Sequence, residues 1–543
     1  MSDFLAKERT VAHAGFNRWL VPPAALCIHL CIGMAYGFSV FWLPLTKAIG
    51  IGQSIACPAD MSWFAMLFAT SCDWDKPMLG WMYTLFFVFL GSSAAVWGGW
   101  LEHAGPRKAG VVSALCWCGG LVLSALGVYT HQLWLMWLGS GVIGGIGLGL
   151  GYISPVSTLI KWFPDRRGMA TGMAIMGFGG GAMVGSPLAD KLMKYFATPT
   201  SVGVWETFLT LAVIYFVFMM IGALSYRIPP SGWKPANWSP PVAAKKGLIT
   251  QHHVHVNKAW KTPQFWLLWG VLCLNVSAGI GVIGMASPML QEVFGGTLIG
   301  LPELKFEQLD AVQLGQIAAI AAGFTGLLSL FNISGRFLWA TFSDYIGRKA
   351  TFFTFFTLGF ILYSSAPSAG HAGNLALFVG IFCLAITMYG GGFASIPAYL
   401  ADIFGTQMVG AIHGRLLTAW SAAGVLGPVL VNYINEYQIN HGVPKSAAYD
   451  TTMYILAGLL VGGFVCNLLV RPVAAKWFMT DAELGAERKL VHDASAKNNI
   501  AQSERVSGQG GNYALVAAAW LFVGIPLTYG IWNTVNKALV LFG

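Results

Sequence analysis

Charged residues are what this sequence has least of. Asp, Glu, Lys and Arg make up 10% of its 543 residues, and apolar residues make up 56%. A soluble chain carries about 25% charged residues, so this one cannot cover itself with a water-facing surface. Lipid is the solvent such a composition suits. Other things are missing too. Met1 to Arg9 is polar and has no apolar core followed by a cleavage site, so the first apolar run is expected to be a retained helix rather than a signal peptide. There is no Walker-type phosphate loop, which excludes an ATP-driven pump. There is no nucleophile elbow, and the cysteines within the apolar segments lack ligand spacing. No enzyme, cofactor or metal site is expected. His252, His253 and His255 cluster in a polar stretch without evident partner ligands.

What is there is a train of apolar segments. Thirteen lie near 19–45, 78–101, 109–129, 132–156, 168–190, 205–227, 264–293, 313–341, 350–367, 374–400, 409–434, 450–470 and 512–541. Most reach the ~20 residues that cross a ~30 Å hydrocarbon core. The 67 glycines suit close helix approach in lipid. Polar stretches divide the train into an N-terminal six-helix half (1–227), a linker (228–262), a C-terminal six-helix half (263–471), a second linker (472–511) and one additional transmembrane helix (512–543). The fold class expected is an all-α membrane protein.

The net charge of +9 comes from placement. With the N-terminus in the cytoplasm, 22 of the 31 Lys and Arg fall on that side and seven on the other. This is the positive-inside bias. It accounts for the basic balance without a nucleic-acid partner, and thirteen helices then put the C-terminus outside, in the periplasm of an inner (plasma) membrane. The partners expected are the bilayer and a small solute, and a monomer suffices.

The halves repeat. Glu102 and Asp344 are 242 residues apart, and the same offset joins Gly105 to Gly347, Pro155 to Pro397, Gly168 to Gly410, Gly172 to Gly414 and Gly185 to Gly427. A duplicated six-helix unit is the architecture of carriers that rock two halves about a midplane site.

The loops 98-GGWLEHAGPRK-108 and 339-WATFSDYIGRK-349 resemble the loop signature of the major facilitator superfamily. The run 147-GLGLGYISPVSTLIKWFPDRRGMATGMAIMGFGGGA-182 resembles its oxalate/formate antiporter family, as do 34-MAYGFSVF-41, 274-LNVSAGIGVIGMASPMLQE-292 and 401-ADIFGTQMVGAIHGRLLTA-419. The match covers roughly residues 15–470. It implies two six-helix halves and exchange or proton-coupled uptake of oxalate, formate or related small carboxylates.

The motifs carry their own physics. In each signature loop an acid at a helix end lies near a base, Glu102 with Arg107 and Asp344 with Arg348. Such a pair latches one state of a rocking carrier and releases in the other. Topological anchoring by positive charge is the plainer reading. Gly185 with Pro187, and Gly427 with Pro428, are expected where segments five and eleven press on their neighbours and bend.

An anionic substrate needs a cation inside the bundle. Charge within a membrane segment costs ~2.5–3.5 kcal/mol on insertion scales, so it marks a candidate site. Arg336 lies eight residues before Asp344, ~12 Å along a helix and near the midplane. Its donor fork suits a carboxylate, and it matches the arginine the family carries there. Asn332 is one turn away on the same face. Tyr36, Tyr152 and Tyr389 fall near family positions where aromatics line the path.

One departure bears on specificity. Where oxalate exchangers of this family carry a Lys after a Thr-Ala pair, this chain has Trp420. A dianion would lose its second cation, so a monocarboxylate such as formate, acetate, lactate or pyruvate is favoured. Oxalate:formate exchange is the alternative, and a sensor without turnover is an alternative of another kind. His413 shares a helix face with Trp420 and is a candidate proton carrier, or else a helix-end histidine bonded to backbone. Arg415 points away, toward the headgroups. Protons are thus a candidate co-substrate. Cys57 and Cys72 fall in a long outside loop, where a disulfide fits an oxidising compartment.

Overall fold

The protein is described by a computed structural model covering residues 4–487, except 14, 52–53, 59, 75, 231–232, 237 and 239–247, together with residues 513–538. The described residues are helical, with isolated β-bridges as their only extended pairing. Thirteen long helices run in order. They are α1 (Val21–Ile32, continued as a tighter 3-10 stretch Gly33–Phe41), α2 (Lys76–Ala104), α3 (Pro106–Tyr129), α4 (Leu133–Trp162), α5 (Arg167–Phe196), α6 (Val204–Ser225), α7 (Pro263–Phe294), α8 (Ala311–Ile346), α9 (Arg348–His371), α10 (Leu375–Phe404), α11 (Val409–Asn440), α12 (Asp450–Leu469) and α13 (Tyr513–Ala538). Twelve are long and apolar enough to cross a membrane, and the 36-residue α8 stands with them.

Local sequence sets the boundaries. Gly105 and Gly347 both sit at φ 85°, where an L side chain is strained. Each ends one helix and starts the next one residue later. Thr262 caps α7 by accepting from Phe265 N–H ahead of Pro263, and Asp310 caps α8 by accepting from Val312 and Gln313 N–H. These satisfy helix-end donors that would otherwise be unpaired.

Three helices are irregular, where a uniform apolar run predicts an unbroken one. The outer part of α1 tightens to 3-10 geometry. Part of α4, Trp137–Gly144, is π-helical. Helix α11 breaks into Val409–Leu416 and Thr418–Asn440. Such departures collect at functional places in membrane carriers.

The six-helix halves meet along two seams, α5 against α8 and α2 against α11. Close approach requires glycine at repeat-related positions. A Cβ on Gly172 of α5 would stand 2.8 Å from the Arg336 carbonyl oxygen of α8, and one on Gly414 of α11 would stand 2.2 Å from the Ala94 carbonyl oxygen of α2. Gly185 and Gly427 pack inside the halves instead: Gly185 against Met34 and Tyr215, and Gly427 against Ile280 and the Ser277 carbonyl. Pro187 and Pro428 lie inside α5 and α11.

The two ends of the bundle differ. The basic end carries the 102–108 and 344–349 loops. There the linker straps across the helix ends: Thr250 N–H donates to Asp402 O, Val254 N–H to Phe404 O, and Met479 N–H to His253 O. The linker histidines do not converge. His252 stacks on Phe478, and His255 faces Glu487 at 3.5 Å. The far end carries a Cys57–Cys72 disulfide with Cα atoms 4.9 Å apart. The Asp73 carboxylate beside it accepts from Ile49, Gly50 and Ile55 N–H. The extra helix α13 lies outside the twelve, against α1, α5 and α8.

Candidate substrate site and cross-half latch

Arg336 projects from α8 ten residues before its end and is fully buried. Asn332, one turn earlier, accepts from its Nε at 3.0 Å, and the Ile175 carbonyl of α5 faces Nη1 at 3.4 Å. Nη2 has no partner. The guanidinium lies 5.8 Å from the Phe178 ring centre and 5.3 Å from that of Phe393. Cation–π contact of this kind supports a buried charge, but it leaves the donor unused.

Aromatic rings from both halves close around it. Tyr36 of α1 and Tyr389 of α10 join hydroxyls across the halves at 3.1 Å. Trp420 packs on Phe393 at 4.4 Å, on Tyr152 at 5.3 Å and on Phe178 at 5.4 Å. His413 faces Tyr152 at 6.0 Å, so His413 and Trp420 do share a face across the α11 break. The Tyr152 hydroxyl, the Trp420 indole N–H and both His413 ring nitrogens are buried without partners. Buried polar atoms in native proteins are nearly always bonded, and each orphan costs roughly 1–3 kcal/mol. Several orphans around one buried cation mark a place built for something with acceptors. The structure thus brings together Arg336, Asn332, Tyr36, Tyr152, Tyr389, Trp420 and His413. Arg415 stands apart, donating to Val256 O and Asn257 Oδ1 of the linker.

Sequence reasoning missed Phe178, Phe393 and His29. His29 is buried on α1 against the Tyr152 and Ala174 carbonyls. Phe178 sits within the glycine run of α5, and that single large residue among small ones was the available signal.

At the basic end each repeat contributes an acid that accepts hydrogen bonds from the other half. Asp344 of α8 accepts from Gly168 and Met169 N–H, at the start of α5, at 2.8 and 2.9 Å. Its counterpart Glu102 of α2 accepts from Gly410 N–H, at the start of α11, at 3.2 Å. Gly168 and Gly410 are themselves repeat-related, so each acid caps the equivalent helix of the other half. A carboxylate at a helix N-terminus is favoured by the macrodipole. Arg348 pairs with Asp344 and with Asp402, and Asp402 also takes Arg167 across the halves at 3.0 Å. The Arg107 expectation needs correcting. Glu102 pairs with Lys161 at 2.7 Å, while Arg107 donates to the Phe4 and Tyr226 carbonyls. The turn at Gly105 and the immediate start of α3 carry Arg107 past Glu102 to the N-terminal segment. A cavity of about 570 Å³ lies at this end, lined by Lys161, Arg167, Arg348, Asp402 and the linker.

Comparison with known proteins fits this arrangement. The family model of the Major Facilitator Superfamily matches residues 25–331. The chain belongs to the Major Facilitator Superfamily. It is therefore a multi-span membrane transporter by family and fold. It is similar to the oxalate:formate antiporter of Oxalobacter formigenes, 22% identical over 88% of this chain and 97% of that one. It is also similar to the apicoplast pyruvate carrier 1 of Toxoplasma gondii, 27% identical over 56% of this chain and 61% of that one. Among solved structures, the fucose:proton symporter of E. coli covers 84% of this chain and all of its own, with a TM-score of 0.55 and 11% identity. That likeness concerns the fold alone.

Proposed function

We propose that this transporter carries small monocarboxylate anions, such as formate, acetate, lactate or pyruvate, by alternating access, with Arg336 as the anion anchor. The observation that carries this reading is the partnerless Nη2 of a fully buried arginine at the meeting of the two halves. A carboxylate would complete the donor fork and neutralise the charge. Asn332 would hold the fork in place, and the Tyr152 hydroxyl could donate to the second oxygen. The rings of Tyr36, Tyr389, Phe178, Phe393 and Trp420 would keep water out, which strengthens the ion pair. Loading would cancel the buried charge and permit the latch at Glu102 and Asp344 to release. Gly185, Pro187, Gly427 and Pro428 would let α5 and α11 bend as the halves rock. In a symport version His413 is the candidate proton carrier, since both its ring nitrogens are buried without a hydrogen-bond partner. In an exchanger the empty site would resist switching. The halves that rock are 1–227 and 263–471, and the basic end is the cytoplasmic one.

A second reading is oxalate:formate exchange, favoured by the near full-length similarity to a protein of that name. The test is uptake of labelled carboxylates into vesicles preloaded with formate, oxalate, lactate or buffer. Monocarboxylate uptake that Arg336→Gln abolishes in a folded protein is the expected result. Full activity in that variant overturns the assignment of Arg336. Oxalate as a preferred substrate overturns the monocarboxylate preference. No uptake of any carboxylate, with binding retained, favours a sensor.

A further inference from the structure

The thirteenth helix is outside the repeated core, and its contacts are unequal. Toward the N-terminal half it is fastened by specific groups. Trp520 Nε1–H donates to the Trp19 carbonyl at 3.2 Å. Lys191 of α5 donates to the Tyr529 hydroxyl at 2.9 Å. Phe522 stacks on Phe218 of α6 with centroids 4.9 Å apart and planes 15° from parallel. Val523 is buried with Leu26 and Cys27 of α1. Toward the C-terminal half it packs along α8, and among the described residues no hydrogen bond or ring stacking joins the two. Thr534 rests on Gly326 of α8, where a Cβ would stand 3.2 Å from its Cγ2 and 3.9 Å from its Cβ.

The helix also covers a particular place. Gly179 and Gly180 of α5 are adjacent. A Cβ on Gly179 would stand 3.1 Å from Arg336 Nε, and one on Gly180 would stand 2.7 Å from Leu527 of α13. Ile333 of α8 lies near both. Helix α13 therefore lies over the α5–α8 seam at the depth of Arg336, where the wall between site and lipid is one glycine-thin helix and its neighbour.

We propose that α13 moves as part of the N-terminal half and serves as a cover along which α8 slides, keeping the α5–α8 seam closed to lipid at Arg336 while the halves rock. The proposal rests on the alternating-access reading, though not on which solute is carried. Aromatic and hydrogen-bonded contacts hold one partner, whereas the glycine–threonine contact offers less to resist translation. Small residues let membrane helices approach closely, and here the close approach comes without a bond that ties α13 to α8.

Two cysteine pairs test it in the full-length chain. Gly326→Cys with Thr534→Cys joins α13 to α8 at a separation that suits a disulfide. Met183→Cys with Gly530→Cys joins α13 to α5, since a Gly530 Cβ would stand 3.1 Å from Met183 Cγ. Each bond is confirmed by peptide mapping. Oxidation of the first pair is expected to slow vesicle uptake more than tenfold and to be reversed by reductant. Oxidation of the second should leave uptake unchanged. Hydrogen–deuterium exchange of residues 402–410 supplies a readout that needs no substrate: exchange should fall on cross-linking the first pair only. Transport or exchange unaffected by a complete 326–534 bond overturns the proposal, as does arrest by the 183–530 bond. If wild type carries no carboxylate yet the exchange difference stands, the carboxylate reading falls and the cover remains.

Discussion

At the scale of single residues, Trp420 and Lys7 carry the sharpest consequences. Trp420 fills the space between Phe393, Tyr152 and Phe178, where the family resemblance leads one to expect a lysine. Its indole N–H is a neutral donor and cannot balance a second carboxylate. Trp420→Lys would put a second cation opposite Arg336 and remove bulk. The oxalate-to-formate uptake ratio should then rise at least tenfold, which corresponds to about 1.4 kcal/mol. An unchanged ratio would show that Trp420 does not set the charge preference. Lys7 gives a pH dependence at the basic end. Burial above all, and then the like charge of Lys161, push its ammonium down to about 8, while it donates to the Glu102 carbonyl. The folded value lies below the unfolded one, so the folded state gives up this proton first. Stability from this group is therefore lowest below pH 8 and recovers as pH rises toward its ordinary value near 10.5. Thermal unfolding of wild type and Lys7→Gln in detergent should show wild type gaining on the variant between pH 8 and 10. A constant difference across that window would contradict it.

At the scale of elements, the two acids that cap opposite helices form a symmetric pair, and the proposed latch rests on them. Asp344→Asn weakens the cap on α5 and the Arg348 pair, and Glu102→Gln weakens the cap on α11 and the Lys161 pair. A helix-end charge in a partly buried setting is worth up to ~2 kcal/mol, so each change should open the basic end by about tenfold. The check is the maleimide reactivity of Ser157→Cys, which replaces a buried residue packed against Gly410. Faster labelling in both variants is expected, and labelling unchanged in either would leave that acid without a latching role. The latch also shows what the sequence conveys and what it hides. The repeat offset fixed which residues correspond, and thirteen apolar runs fixed the helices, because lipid demands long apolar segments with backbone groups satisfied internally. The partner of Glu102 was not legible. Proximity in sequence suggested Arg107, whereas Gly105 turns the chain and a lysine 59 residues away completes the pair. The aromatic enclosure was half legible for a similar reason. Tyr36, Tyr152 and Tyr389 stood out beside family positions, but Phe178 and Phe393 look like ordinary core until the halves are folded together. The 3-10 stretch of α1, which packs against α5, was not legible in a uniform apolar run.

At the scale of the whole molecule, two independent features support the proposed orientation, with the basic end in the cytoplasm. Twenty-two of 31 cationic residues gather toward one side in the sequence, and the paired Cys57 and Cys72 lie at the opposite end of the bundle. Cationic loops are retained on the cytoplasmic face, and disulfides persist where the medium is oxidising. A reversed chain would put its basic loops outside and its disulfide in a reducing compartment, so both features would be wrong together. Thirteen long helices among the described residues would then put the termini on opposite sides. A fluorescent protein fused to the N-terminus should fold and fluoresce, and alkaline phosphatase fused after residue 543 should be active, since it needs its own disulfides. Active phosphatase at the N-terminus, or inactive phosphatase at the C-terminus with the fusion intact, would reverse the orientation. It would also move the latch at Glu102 and Asp344 to the outer face, so that its release would admit solute from the opposite side.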